Sequence, residues 1–310
     1  MSQQVVNVSK ETLNKMSSYY QTTGSLPPGA VFKSKKNGCT ITGYRSGKVL
    51  FQGAGSADEA SKWQKNSQPA GASRRKPSVS DHKWKPSAEV LEKPLIGSDE
   101  TGTGDYFGPM TVVAAHLTPA QLKEAEPLGL RDSKSMNDEI IRSTAPKLLS
   151  LCTYSLRVLR NEKYNELQQK GYNQGAMKAL LHHRAIQSVI EQLQGEDVPV
   201  DGVLIDQFVK PERYFEYVKQ TGGSWPEQIP IYFATKAEDM HPAVAAGSIL
   251  ARYAFLKEMD AIAQTLGLPV PKGAGSNVDK AAAEIASVHG KETLFRYVKA
   301  HFSNTGRVLK

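Results

Sequence analysis

Cysteine is almost missing. The 310 residues hold two, Cys39 and Cys152, too few for a disulfide framework and without the spacing of a thiolate metal site. Long apolar runs are missing as well: none approaches the ~20 residues of a membrane span. The opening MSQQVVNVSKETLNK has no basic start leading into an apolar stretch, so no secretory signal is expected. These absences point to a reducing cytoplasm and no membrane partner. What is present, 39% hydrophobic and 23% charged residues, suits a soluble chain long enough for two domains.

Acidic charge is scarce in one place only. Residues 1–92 carry fourteen Lys/Arg against six Asp/Glu, whereas 93–310 carries 25 of each. The whole formal excess of +8 therefore sits in the first third, as expected of a polyanion-binding appendage beside a neutral main domain. The boundaries read as an N-terminal domain over 1–66, a flexible basic linker rich in Ser, Pro and Ala over 67–92, and a larger domain over 93–310.

The small domain reads helix, three strands, helix. Ser9 is a cap for a helix through about Tyr20, with Leu13, Met16 and Tyr20 at helical spacing. Asn37-Gly38 marks a hairpin between AVFKSKK and CTITGYR. Ser46-Gly47 turns into KVLFQ, and SADEASKWQK closes the domain. With helices on one face of the sheet, the other is expected to carry some of Lys33, Lys35, Tyr44, Arg45, Lys48 and Phe51. Basic residues among aromatics suit phosphate contact and stacking, although a solvated sheet face gives the same pattern.

The large domain alternates, with strands expected at 94–99, 110–117, 152–159, 201–206 and 229–234. Helices are expected at about 119–126, 137–149, 161–170, 174–194, 211–220, 242–265, 278–289 and 291–301. Pro242 opens a helix whose small-residue start, AVAAGS, suits close packing on a sheet. The fold class is α/β, a mixed sheet flanked by helices.

Three of these strands end in acid. LIGSDE delivers Asp99 and Glu100, GVLID delivers Asp206, and IYFATKAED delivers Glu238 or Asp239. One such acid is an ordinary turn residue or helix cap. Four gathered at strand tips repel one another unless a countercharge is supplied. Oxygen-only ligands select hard ions such as Mg²⁺ or Mn²⁺, and two such ions assist phosphodiester hydrolysis. The glycines of GTGDYFG fit neither the dinucleotide fingerprint nor the P-loop. Their physical use is close backbone approach to a sugar or phosphate, or a hairpin turn, or both.

Taken together, IGSDETGTGDYFGP, GLRDSK (129–134), MKALLHH (177–183), VLIDQF (203–208), TKAEDMHPAVAAGSILARY (235–253), PKGAG (271–275) and HFSNT (301–305) resemble bacterial ribonuclease HIII, of the type 2 ribonuclease H family. GCTITGYRSGKVLFQG (38–53) extends the resemblance through the N-terminal domain, and the linker matches poorly. The resemblance implies a ribonuclease H-like fold with an N-terminal α+β domain similar to the TATA-box-binding protein. It implies endonucleolytic hydrolysis of the RNA strand of RNA–DNA hybrids by in-line attack of water. Products would carry 5′-phosphate and 3′-hydroxyl ends.

It also implies a catalytic and metal-binding set of Asp99, Glu100, Asp206 and Glu238, with two Mg²⁺ or Mn²⁺ ions in the substrate-bound state. Only this alignment selects Glu238 over Asp239. Gly102, Thr103 and Gly104 would present backbone to a 2′-OH, the group that separates RNA from DNA. Related ribonuclease HII proteins carry GRG there, so Thr103 argues against the alternative of incision at single ribonucleotides. Lys134, Lys272, Lys33, Tyr44, Arg45 and Lys48 are candidate substrate contacts. No protein partner is implied and a monomer is expected. His182, His183 and His241 receive no catalytic role, the first two because neighbours on a helix do not share a face. The rival from another class is a hybrid-binding protein whose acids only hold the fold.

Overall fold

The computed structural model describes residues 3–23, 25–27, 29–64, 82–130 and 135–309. The chain divides into two units, Met1–Lys76 and Pro77–Lys310.

In the first unit, β1 (Gln3–Asn7), α1 (Lys10–Tyr19), β2 (Ala30–Lys36), β3 (Cys39–Tyr44), β4 (Lys48–Gly53) and α2 (Ser56–Gln64) follow one another. The sheet has four strands in the order β1-β4-β3-β2, all antiparallel. This corrects the three-stranded expectation: β1 is hidden in the sequence because its two valines sit in a short stretch of polar residues, and its pairing with β4 is tertiary. Ser9 caps α1 by accepting from the Thr12 N–H at 3.1 Å. Alternation along the strands puts Phe32, Ile41, Val49 and Phe51 into a core with Leu13, Met16 and Tyr20. Phe51 is fully buried, so it belongs to the helix-covered face rather than the open one. An aromatic of that size stabilises by about 1.5–3 kcal/mol when buried and has no reason to stay in water.

The second unit contains α3 (Ala88–Leu91), β5 (Ile96–Thr101), β6 (Met110–His116), α4 (Pro119–Ala125), α5 (Asp138–Leu151), β7 (Thr153–Leu159), α6 (Asn161–Gln169), α7 (Gln174–Gly195), β8 (Val203–Asp206), α8 (Pro211–Gln220), β9 (Ile231–Ala234), α9 (Pro242–Leu266), α10 (Ser276–His289), α11 (Lys291–Phe295) and α12 (Ser303–Val308). The sheet order is β7-β6-β5-β8-β9. β7/β6 and β6/β5 are antiparallel, whereas β5/β8 and β8/β9 are parallel. Side-chain alternation splits the apolar residues between two layers. Val113 and Ala115 pack with α5 and α9 on one face, while Ile96, Ala114, Val203 and Ile205 pack with α7 and α8 on the other.

The small-residue start of α9 lies tight against β5. A Cβ on Gly97 would stand 2.2 Å from the Val244 nitrogen, so only glycine permits that approach. Two further boundaries differ from expectation. The segment 82–92, expected in the linker, packs on this unit: Trp84 accepts from the Phe233 N–H at 3.0 Å, and Val90 and Leu91 cover a small apolar cluster. Residues 65–81 lie outside the described residues. The helix expected at 291–301 stops at Phe295, because the backbone that follows is recruited by the loop after β5. There Tyr297 accepts from the Gly108 N–H at 3.0 Å, and the Lys299 N–H donates to Tyr106 at 2.8 Å.

Candidate active site

β5 runs on to Thr101, so Asp99 and Glu100 lie inside the hairpin with β6, opposite Val113 and Val112. The pairing of β5 with β8 reaches Ser98↔Ile205; one further step brings Asp99 beside Asp206. Consecutive strand residues face opposite sides of a sheet. Asp99 accordingly faces α9, where it hydrogen-bonds Ser248, and its Oδ1 accepts from the Glu100 N–H at 2.7 Å. Glu100 faces α7.

Asp206 ends β8, and its Oδ1 accepts from the Ala237 N–H at 2.8 Å. That bond holds the tight turn Ala237–Asp239 against the strand tip. Asp206 also hydrogen-bonds Glu238, which is half-buried, whereas Asp239 is exposed. The four acids therefore share one electrostatic neighbourhood. Burial, then the charge of Glu100, then that of Asp206 push the Asp99 carboxyl up to about 8. Burial together with Glu238 and Glu100 raises Asp206 to about 6, against the opposing Ala237 bond. Mutual repulsion in a dry site is the cause.

Glu100 behaves differently. Burial works against its charge, but hydrogen bonds and attraction from His182 and Lys178 outweigh it and hold the carboxyl below its ordinary value. Lys178 Nζ donates to Oε1 at 2.6 Å, and His182 Nε2 lies 2.9 Å from Oε2. Ser98 Oγ is 2.6 Å from His182 Nδ1. Ser98, His182 and Glu100 thus stand in the order of a hydrolytic triad, but Ser98 and His182 are fully buried. No substrate reaches that hydroxyl, and Ser98 orients the imidazole instead. His183 lies on another side of α7, in van der Waals surroundings near Trp225, and burial pushes its pKa down. His241 caps α9, accepting from the Ala243 N–H at 3.2 Å.

A hard divalent cation fits this donor set chemically: four carboxylates, all oxygen, one of them an acid that burial and its neighbours' charge push up. Geometrically, among the described residues no three His, Cys, Asp or Glu side chains already stand where they could hold one ion. Glu100 is turned toward α7, where Lys178 occupies its Oε1, and ligation through that oxygen would require the lysine to leave.

The loop after the acids is fixed from several directions. Gly102 has φ +92°, and a Cβ there would lie 2.2 Å from the Pro109 carbonyl oxygen. The Thr103 carbonyl accepts from Gln174 Nε2 at 2.8 Å. Gly104 has open space beside it and is exposed. Lys299, fully buried, donates to the carbonyls of Asp105 at 2.8 Å and Gly108 at 2.6 Å, and burial pushes its ammonium down to about 7.

Lys272 pairs with Asp138, which Arg252 also holds at 2.6 Å. Lys134 lies outside the described residues. In the small unit Lys33 and Tyr44, both half-buried, line a shallow hollow of the open sheet face with Thr40, Thr42 and Gln52. Tyr44 borders a second hollow with Arg45 and Lys48, which are exposed. Sequence reasoning missed Ser98, Gln174, Lys178 and Ser248, and gave His182 no role although it holds Glu100. The spacing of Gln174, Lys178 and His182, four apart in a mostly apolar helix, was the available signal.

Comparison with known proteins is consistent with this geometry. Residues 96–305 match the family described as ribonuclease HII, and residues 3–76 match a domain of unknown function, DUF3378. The chain is 46% identical over 312 residues to the ribonuclease HIII of Bacillus pumilus, covering 100% of this chain and 99% of that protein. Two crystal structures of Bst-RNase HIII are similar over 99% of this chain and 98% of theirs. One, a point mutant, is 37% identical with a TM-score of 0.69. The other, in complex with Mn²⁺, is 38% identical with a TM-score of 0.67.

Proposed function

The chain belongs to the ribonuclease HII family, among its ribonuclease HIII members, and from that membership we infer that it is an endonuclease hydrolysing the RNA strand of RNA–DNA hybrids. The reaction centre in this reading is the cluster of Asp99, Glu100, Asp206 and Glu238. The observation that carries it is Asp99 itself, buried next to Glu100 on β5 and one register step from Asp206 on the neighbouring strand. A fold gains nothing structural from such a residue.

A divalent cation bound there would acidify water and offset charge on the departing 3′ oxygen. The chain's own residues do the rest. Asp99 is aimed by Ser248 and by the Glu100 amide, and Asp206 is aimed by the Ala237 amide. Gly102, Thr103 and Gly104 form the strip that meets the 2′-OH, held in place through Gln174 and Lys299. Water attacks the phosphorus in line, leaving 5′-phosphate and 3′-hydroxyl ends. Lys33, Tyr44, Arg45 and Lys48 grip the hybrid by phosphate contact and stacking, with Lys134 and Lys272 as further phosphate contacts. In the same reading the protein is a cytoplasmic monomer that uses Mg²⁺ or Mn²⁺, two ions when substrate is bound. Among the described residues no helix is long and apolar enough to cross a membrane.

The test is cleavage of an end-labelled RNA–DNA hybrid with Mn²⁺, with Mg²⁺ and with chelator, using Asp99→Asn as control. Cutting that requires the metal and disappears in the variant is expected. Unchanged cutting by Asp99→Asn would remove the acids from the chemistry. A duplex with one ribonucleotide should be cut more slowly than the hybrid.

A further inference from the structure

The motif MKALLHH on α7 has no place yet in the chemistry. Gln174, Lys178 and His182 stand four residues apart and so form one stripe along the helix. All three face β5 and its loop: Gln174 bonds Thr103, and Lys178 and His182 divide the two oxygens of Glu100. The Lys178 side chain is only 13% exposed, and its ammonium lies 4.4 Å from the centre of the Phe208 ring. His182 stacks on the same ring, with centroids 5.0 Å apart. Glu100 thus has a cation 2.6 Å away. Asp99 has no Lys or Arg ion-pair partner among the described residues.

We propose that Lys178 is a resident counter-cation, which neutralises and aims Glu100 until a divalent cation takes Oε1, and then withdraws along the face of Phe208. The inference rests on the four-carboxylate reading above. An ammonium and a divalent ion on one carboxylate oxygen repel each other strongly in a dry site, so the arrival of the ion favours departure of the lysine. His182, braced by Ser98, keeps Oε2 in place, so the exchange needs only rotation of a flexible lysine stem. The aromatic face offers the displaced ammonium a favourable surface. Strand alternation turns Glu100 to this side of the sheet, and Lys178 meets its charge there. The exchange makes Lys178 a positioning residue that weakens cation binding while offsetting part of the charge of four crowded acids. Arginine would hold both oxygens through its planar fork and release them less readily.

The experiment is calorimetric titration of Mn²⁺ into the full chain without nucleic acid, comparing the unaltered protein, Lys178→Met, Lys178→Arg and Asp99→Asn. Lys178→Met should bind Mn²⁺ about tenfold more tightly, the direction set by removing a like charge beside the ion, and Lys178→Arg should bind more weakly. Lys178→Met binding no more tightly than the unaltered protein would overturn the proposal, with the four-acid reading intact if Asp99→Asn abolishes binding. Absence of binding even to the unaltered protein would overturn both. The unaltered protein gives a second measure that needs no variant. Reductive methylation of Lys178 by formaldehyde and dimethylamine–borane, followed by peptide mass spectrometry, should run several-fold faster with Mn²⁺. A rate unchanged by Mn²⁺ also sinks the idea.

Discussion

Glu59 in the small unit and Asp99 in the large one are both buried acids, but donors surround the first and acids crowd the second. Glu59 accepts from Tyr20 at 2.8 Å, Asn37 at 2.7 Å and Lys62 at 2.7 Å, and Trp63 in turn donates to the Tyr20 hydroxyl at 2.8 Å. Burial opposes its charge, but these bonds outweigh it and hold its carboxyl below the usual value. Asp99 is driven the other way. A buried acid that is fully satisfied ties elements together, here α1, the β2–β3 turn and α2. A buried acid left among acids ties nothing together, and in the reading proposed above it awaits a cation.

The largest expected break in this comparison comes from Asp99→Asn, which should abolish cleavage and also change how stability responds to pH. In the metal-free native state Asp99 keeps a proton that the unfolded chain loses, so stability should fall as pH rises from the ordinary carboxylate range to about 8. Urea unfolding across that range should show a slope that Asp99→Asn reduces. Glu59 has the opposite sign: its stabilisation is present above the ordinary carboxylate value and disappears as pH falls through its lowered one. Next in size, Glu59→Ala strands three donors and should cost about 2–4 kcal/mol of small-unit stability. Fluorescence of Trp63, the single Trp of residues 1–76, reports it. Metal-dependent cutting at saturating hybrid should survive.

Much of the molecule is legible in the sequence because it is local. The hairpin at Asn37-Gly38, the cap at Ser9, the apolar strands that carry or precede the acids and the small-residue start of α9 each depend on neighbours in sequence. What is not legible depends on distant partners. Lys178 finds Glu100 across 78 residues; the four-residue spacing of Gln174, Lys178 and His182 puts them on one helix face without showing what that face meets. KETLFRYVKAHF has a helical pattern, but Tyr297 and Lys299 lend their backbone to residues 106–108 instead. β1 needs β4 before its two valines mean anything.

Smaller effects sharpen the contrast between the two units as proposed, one to grip and one to cut. Replacing Lys33, Arg45 and Lys48 together by Ala should weaken hybrid binding about tenfold and flatten its salt dependence, by about 0.7–0.9 in slope for each phosphate no longer neutralised. Filter binding over a salt series measures both, while turnover at saturating substrate should stay within about twofold. An unchanged slope would leave the sheet face as mere solubilising surface. The smallest structural effect belongs to Gly104→Ala. Its Cβ enters open space, so thermal stability should hold while hybrid cleavage falls, provided backbone approach to the sugar is the use of that glycine.

The loop that carries Gly102–Gly104 is locked by Lys299, whose ammonium reaches a carbonyl 191 residues earlier in the chain. During synthesis the acid-bearing strands can therefore leave the ribosome well before the strip beside them is complete. The nascent chain has its carboxylates but not the fastening for the loop expected to test for ribose. Selectivity is in this sense the last property the polypeptide acquires, and it arrives only with the residues around 297–299.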